Sequence, residues 1–159
     1  MNTKNILLAL EGTASETPVI RQAMDMARFL NTGLTVLHVN SPLAGRISMR
    51  MEPEPLLTEQ DIRDLFRSLG YEDEADRLDV RIVTSPAVSR EIVRAAADAL
   101  LVIVGRSRRN RLAAALTETI DKHLPDRLPC PVMYVQKAGA GTRLPLHEQV
   151  TPGTPVGLN

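Results

Sequence analysis

The sequence has one cysteine, no tryptophan, two tyrosines and two phenylalanines among 159 residues. A lone Cys130 excludes an intramolecular disulfide, and no second cysteine or close histidine pair supplies metal-ligand spacing, so a reducing, cytoplasmic setting is expected. With aromatics at 3%, the chain lacks the stacking platforms on which single-stranded nucleic acids are bound. Nineteen basic and nineteen acidic side chains cancel, so no whole-molecule field draws in nucleic acid or an anionic membrane. No apolar run approaches the roughly 18 residues of a membrane span. The opening MNTKNILLALEG has only a short apolar run before its first acid, which fits neither a signal nor a transit peptide. Nucleic-acid binding and direct membrane insertion are therefore not expected, and any anion site must be local.

What the chain does have is 43% hydrophobic residues, enough for one domain with a buried core. Asn5 to Leu10 is a continuous apolar run, the pattern of a strand covered on both faces. Val19, Ala23, Met26, Ala27 and Leu30 then repeat at helical spacing, with Ser15, Glu16 and Pro18 at the start and Asn31-Thr32-Gly33 at the stop. Leu34–Val39 reads as a second strand. Asn40 to Leu57, with Pro42, Glu52-Pro53-Glu54-Pro55, Met49 and Met51, reads as a loop. A helix is expected over Thr58–Leu69, with Ile62, Leu65, Phe66 and Leu69 inward and Gly70 as its stop. A third strand is expected over Asp79–Thr84, a helix opened by Pro86 and running to about Ala97, and a fourth strand over Leu100–Val104. Leu112, Ala115, Leu116, Ile120 and Leu124 suggest a last helix that Pro125 ends, before a fifth strand over Val132–Gln136.

Apolar strands alternating with helices imply α/β architecture: a single Rossmann-like, doubly wound domain with a five-stranded parallel sheet and helices on both faces. The expected strand order 3-2-1-4-5 sets the ends of strands one and four side by side at the switch point, where open sheets bind ligands. The loops expected there are Leu10-Glu11-Gly12-Thr13 and Gly105-Arg106-Ser107-Arg108. The domain is expected to end near Lys137, and residues 138–159, rich in Gly, Pro and Thr, read as a tail.

Three stretches, ILLALEGT, LNTGLTVLHV and ADALLVIVGR through LPCPVMYV, resemble the universal stress protein family over about residues 3–137. The resemblance implies a small cytoplasmic, Rossmann-like domain with a nucleotide site of Ala9, Leu10, Glu11, Val39, Val104, Gly105, Ser107, Arg108, Glu118, Thr119 and Ile120. It implies ATP or AMP as the nucleotide. The nucleotide-binding members' pattern resembles Gly-x-x-Gly, nine residues, then Gly-Ser/Thr. Here Gly105 and Thr119 match, but Arg108 and Glu118 stand where the other two glycines would be, and Glu11 replaces the usual Asp.

These departures have physical weight. A phosphate-loop glycine lets backbone N–H groups approach the anion without a Cβ in the way, which Arg108 does not. A carboxylate at residue 118 facing a terminal phosphate at 4 Å costs about 4 kcal/mol at an effective dielectric near 20, or about half that if it swings outward. About 2 kcal/mol is already roughly 30-fold in affinity. Arg106, Arg108, Arg109 and Arg111 offer charged planar donors suited to phosphate. Two readings stay open: a solvated basic loop, or a rewired anion site.

His38 reads as a hydrogen-bonded structural histidine beside the crevice, and His123 and His147 as surface residues. Cys130 reads as a small apolar residue at a strand entrance, and Thr13, Ser15, Ser107 and Thr119 as capping or turn hydroxyls. The last strand should be a sheet edge, and the resemblance implies a homodimer through Val132, Met133, Tyr134 and Val135. The expected function is a non-enzymatic, dimeric stress-response regulator with weakened or absent ATP binding and no required cofactor. The alternative is a sensor of nucleotides or other phosphorylated ligands through the arginine-rich loop, acting on a protein partner such as a transporter. No nucleophile–base pair or carboxylate cluster favours hydrolase or phosphotransferase chemistry.

Overall fold

A computed structural model of the chain describes residues 4–42, 56–106 and 128–138. The segment 43–55, the helix expected around Leu112–Leu124 and the residues from 139 onward lie outside the described residues. The elements are β1 (Asn5–Leu10), α1 (Thr17–Phe29), β2 (Leu34–Asn40), α2 (Glu59–Ser68), α3 (Glu72–Ala75), β3 (Asp79–Thr84), α4 (Val88–Ala95), β4 (Ala99–Arg106) and β5 (Val132–Gln136). One 3-10 turn, Ala14–Glu16, leads into α1, and another, Ala96–Asp98, follows α4.

All strand pairs are parallel and the order is β3-β2-β1-β4-β5. Strand β1 is central because every side chain from Ile6 to Leu10 is buried, so neither face tolerates water. Its alternation sorts the core by face. Ile6, Leu8 and Leu10 join Val19, Ile20 and Ala23 of α1 and Ile62 and Phe66 of α2 in one cluster. Leu7 and Ala9 join Ile92 of α4, Ala96 after it, and Val102 and Val104 in the other. Each fully buried Leu or Ile contributes about 1.5–3 kcal/mol, so these two layers are the main source of stability.

The punctuation behaves as its chemistry requires. Gly70 ends α2 at φ 91° with open space around it, and Asn31 takes φ 51° after α1. Pro86 stands two residues ahead of α4, so it precedes that helix and does not occupy its first position. The short α3, which has no apolar period of its own, is held by tertiary contacts: Tyr71 packs on Phe66, and Ala75 and Leu78 join the core. The main correction concerns β4. It runs to Arg106, two residues beyond the expected Val104, because Gly105 and Arg106 pair with Val135 and Gln136 of β5. Gly105 is therefore a buried strand residue and not the first residue of a loop.

Candidate functional site

At the C-terminal edge of the sheet, β1 and β4 end side by side, with Ala9 opposite Val104. The turn that leaves β1 folds around a carboxylate of its own chain. Glu16 accepts the N–H of Glu11 at 2.9 Å, of Gly12 at 2.6 Å and of Thr13 at 3.0 Å. Gly12, at φ 85°, gives this turn its inward curve, and a Cβ there would collide with the side chain of Leu57. Glu16 is 0% exposed. Burial pushes its carboxyl above the ordinary carboxylate value, while the N–H donors and the ammonium of Lys137 pull it down.

Lys137 directly follows β5. Its N–H donates to the Arg106 carbonyl at 3.0 Å, and the next N–H, of Ala138, donates to the Ser15 carbonyl at 2.9 Å. The backbone is thus bound on one side to β4 and on the other to the turn after β1. From there the lysine side chain, only 4% exposed, runs inward, pairs with the Glu11 carboxylate and stands 3.9 Å from Glu16 Oε2. An unpaired ammonium at this depth would cost several kcal/mol, and the two carboxylates offset that cost. The lysine stem also explains Gly105: a Cβ on residue 105 would stand 2.7 Å from Lys137 Cε and 3.0 Å from Val19 Cγ2. Its φ is not among the positive values, so the constraint at Gly105 is space.

On the β2 side of β1 lies a buried polar chain. The buried His38 donates from Nδ1 to the Leu10 carbonyl at 2.8 Å, and its Nε2 stands 2.9 Å from Asn40 Oδ1. The Asn40 amide in turn pairs with the backbone of Leu57, accepting its N–H at 3.1 Å and donating to its carbonyl at 3.0 Å. Leu57 is thereby fixed over Gly12.

The residues singled out from sequence fall into two groups. Ala9, Leu10, Glu11, Val104 and Gly105 meet at the strand ends, and Val39 lies in β2, opposite Val83 of β3. Ser107, Arg108, Arg109, Arg111, Glu118, Thr119 and Ile120 lie outside the described residues. Arg106, the first arginine of the basic run, is exposed, with its guanidinium carbon 5.9 Å from the Tyr134 ring centroid, and so lies over β5. Thr13 Oγ1 and Ser15 Oγ are 2.8 Å apart in the turn. Cys130 packs against the second core cluster, and burial pushes its thiol above the ordinary value, which disfavours the reactive thiolate.

Two residues of the site were not anticipated as such. Glu16 had been read as a helix-start signal, and the Thr13-x-x-Glu16 spacing carries only that local meaning. Lys137 has no sequence signal at all, since a lysine after an apolar strand ordinarily points to water. Among the described residues, no group of three His, Cys, Asp or Glu side chains could hold a metal ion, and no helix is long and apolar enough to cross a membrane.

No curated protein matches the sequence. Solved structures with the same fold include a universal stress protein in complex with cAMP, at 18% identity and TM-score 0.52, covering 85% of this chain and 98% of that one. Another is the universal stress protein UspA from Lactobacillus plantarum, at 16% identity and TM-score 0.56, covering 83% and 97%. A third, from Archaeoglobus fulgidus, has 18% identity and TM-score 0.51, covering 83% and 98%. The model of the universal stress protein family matches residues 2–136. With the strand order and the strand-end site in place, the chain belongs to the universal stress protein family.

Proposed function

We propose that this chain is a non-enzymatic, cytoplasmic regulatory protein in which nucleotide binding at the switch point is weakened. The observation that carries this reading is Lys137. Its buried side chain lies against Gly105 and pairs with Glu11, at the ends of β1 and β4, where open sheets take their ligands. Arg108 and Glu118, at positions that resemble glycines in nucleotide-binding members, point the same way.

The test is a thermal-shift titration of the native protein with ATP, AMP and cAMP, the last because a protein of the same fold binds it. At ligand 100 times above Kd, binding adds about 2.7 kcal/mol to stability. Millimolar nucleotide is expected to leave the melting temperature unchanged. A clear shift with any of the three would replace this reading with that of a sensor using Ser107, Thr119 and the arginine-rich loop.

The regulatory reading includes a homodimer through β5. This strand ends the sheet order, and Tyr134 is 37% exposed on it. A second copy would pair its outer edge. Val132→Lys or Tyr134→Lys is expected to sediment as a monomer. A variant sedimenting like the parent would rule out dimerisation through this strand.

A further inference from the structure

We propose that His38 is a proton-dependent latch: its protonated ring fastens Asn40, and through Asn40 holds Leu57 on the turn that leaves β1, and loss of that proton slackens the hold.

Donors and acceptors do not balance around a neutral ring. His38 Nδ1 stands 2.8 Å from the carbonyl oxygen of Leu10, which can only accept. Nε2 meets the Asn40 side chain at 2.9 Å, and the backbone of Leu57 fixes which atom it meets. Asn40 Oδ1 accepts the Leu57 N–H at 3.1 Å while Nδ2 donates to the Leu57 carbonyl at 3.0 Å, so the atom turned to the ring is the oxygen. Both ring nitrogens therefore face acceptors. A neutral imidazole has one N–H and leaves a lone pair against one of the two oxygens, whereas the imidazolium donates to both. Turning the Asn40 amide over would suit the neutral ring only by setting donor against donor and acceptor against acceptor at Leu57. His38 is 6% exposed and Asn40 3%, so bulk water does not resolve the mismatch.

The charged groups around the ring are engaged elsewhere. His38 alternates with Leu37, which packs with α4, and so lies on the face of α1 and α2. Arg21 and Arg28 of α1 lie over the Tyr71 ring, and Glu59 and Asp64 of α2 hold Arg63 and Arg67. Asp61 accepts from Thr58, Asp79 of β3 holds Arg81, and Glu11 and Glu16 after β1 face Lys137. Among the described residues none of these pairs with His38, so it is the two oxygen acceptors that select the proton. Leu57 carries the effect to the candidate site: a Cβ on Gly12 would collide with Leu57 Cδ1, so movement of Leu57 is felt in the turn beside Glu11.

Heteronuclear NMR of the native protein tests this between about pH 5 and about pH 8, the range in which an imidazole ordinarily titrates. In acid both His38 ring nitrogens are expected to carry a proton. As the ring loses one, the Gly12 and Leu57 amide resonances should move with the same midpoint. Protection of the Leu57 amide against exchange, corrected for its intrinsic pH dependence, should fall roughly tenfold, the size of one lost hydrogen bond. His38→Gln, which cannot titrate, should fix both amides across the range.

A ring with a single N–H throughout overturns the latch, and so does a ring doubly protonated throughout, which would be a fixed clip. Gly12 and Leu57 amides that ignore the ring, or that keep their pH dependence in His38→Gln, overturn it as well. Should that variant fail to fold, the ring and amide signals of the native protein still decide. The latch does not rest on weakened nucleotide binding, and a thermal shift with nucleotide leaves it standing.

Discussion

The turn after β1 and the start of α2 carry the same device with opposite fates. Thr13-x-x-Glu16 and Thr58-x-x-Asp61 are both capping boxes, with a carboxylate three residues on that reaches back to the N–H of the threonine. At α2, Asp61 lies in solvent and accepts the N–H and hydroxyl of Thr58, both at 2.8 Å. Those hydrogen bonds hold its carboxyl below the ordinary value. At β1, Glu16 is closed off from water, and burial drives its carboxyl the other way. A motif with one local meaning is thus a helix cap in one place and the centre of a buried polar cluster in the other. The second fate comes from what packs over it: Lys137 from the far end of the chain.

The largest expected effect breaks the buried member. Glu16→Ala leaves three N–H donors without their partner and Lys137 with one carboxylate instead of two, so it should cost about 3 kcal/mol. Urea unfolding reads this as a lower midpoint at unchanged slope, and a loss under 1 kcal/mol would mean that the turn does not depend on its carboxylate.

Next comes Gly105→Val, which forces the Lys137 stem aside and should cost about 1–3 kcal/mol through overpacking. If the lysine is the reason, combining it with Lys137→Ala should be less damaging than the sum of the two single changes. Strict additivity in the double-mutant cycle would show that Val19 and not Lys137 sets the constraint.

At the exposed box, Thr58→Ala should cost only about 1 kcal/mol, the ordinary value of a cap. An effect as large as that of Glu16→Ala would erase the contrast between the two regions.

The pH dependence sharpens the contrast by sign. Glu16 binds its proton more tightly folded than unfolded, so its contribution is fully present below the ordinary carboxylate pKa and is lost as pH rises through the higher folded value. Asp61 holds its proton less tightly when folded, so its contribution is present above the ordinary value and lost as pH falls through the lower one. Relative to the native protein, Glu16→Gln should gain stability as pH rises from the acid range toward neutrality, and Asp61→Asn should lose it. Unfolding midpoints across that range would show curves of the same sign if the two carboxylates share one environment.

Much of the fold could be read directly from the residues. The stretches at 5–10, 79–84 and 132–136 became strands with those bounds: β1 because a parallel strand buried on both faces leaves an uninterrupted hydrophobic signal, and the partly exposed β3 and β5 because short runs rich in Val stand there between turn signals. The strand order followed from the alternation of strands and helices. The end of β4 was misplaced because Gly105 and Arg106 have poor strand propensity. Their pairing with Val135 and Gln136 is a long-range ladder that no local pattern reports. Within the site, Glu11 and Gly105 were found through topology and resemblance, while Glu16 kept only its capping role and Lys137 went unnoticed.

By itself, then, the sequence determined the α/β class and the position of the switch point, since apolar periodicity sets the alternation of strands and helices from which the strand order follows. Only the tertiary structure decided that one box would be buried, that Gly105 would make room for a lysine stem, and that Glu11 and Lys137, 126 positions apart, would form an ion pair. The reason is physical. Periodicity and capping are local properties of the chain, whereas the cost of burying a charge and the partner that offsets it depend on which distant segment closes over it.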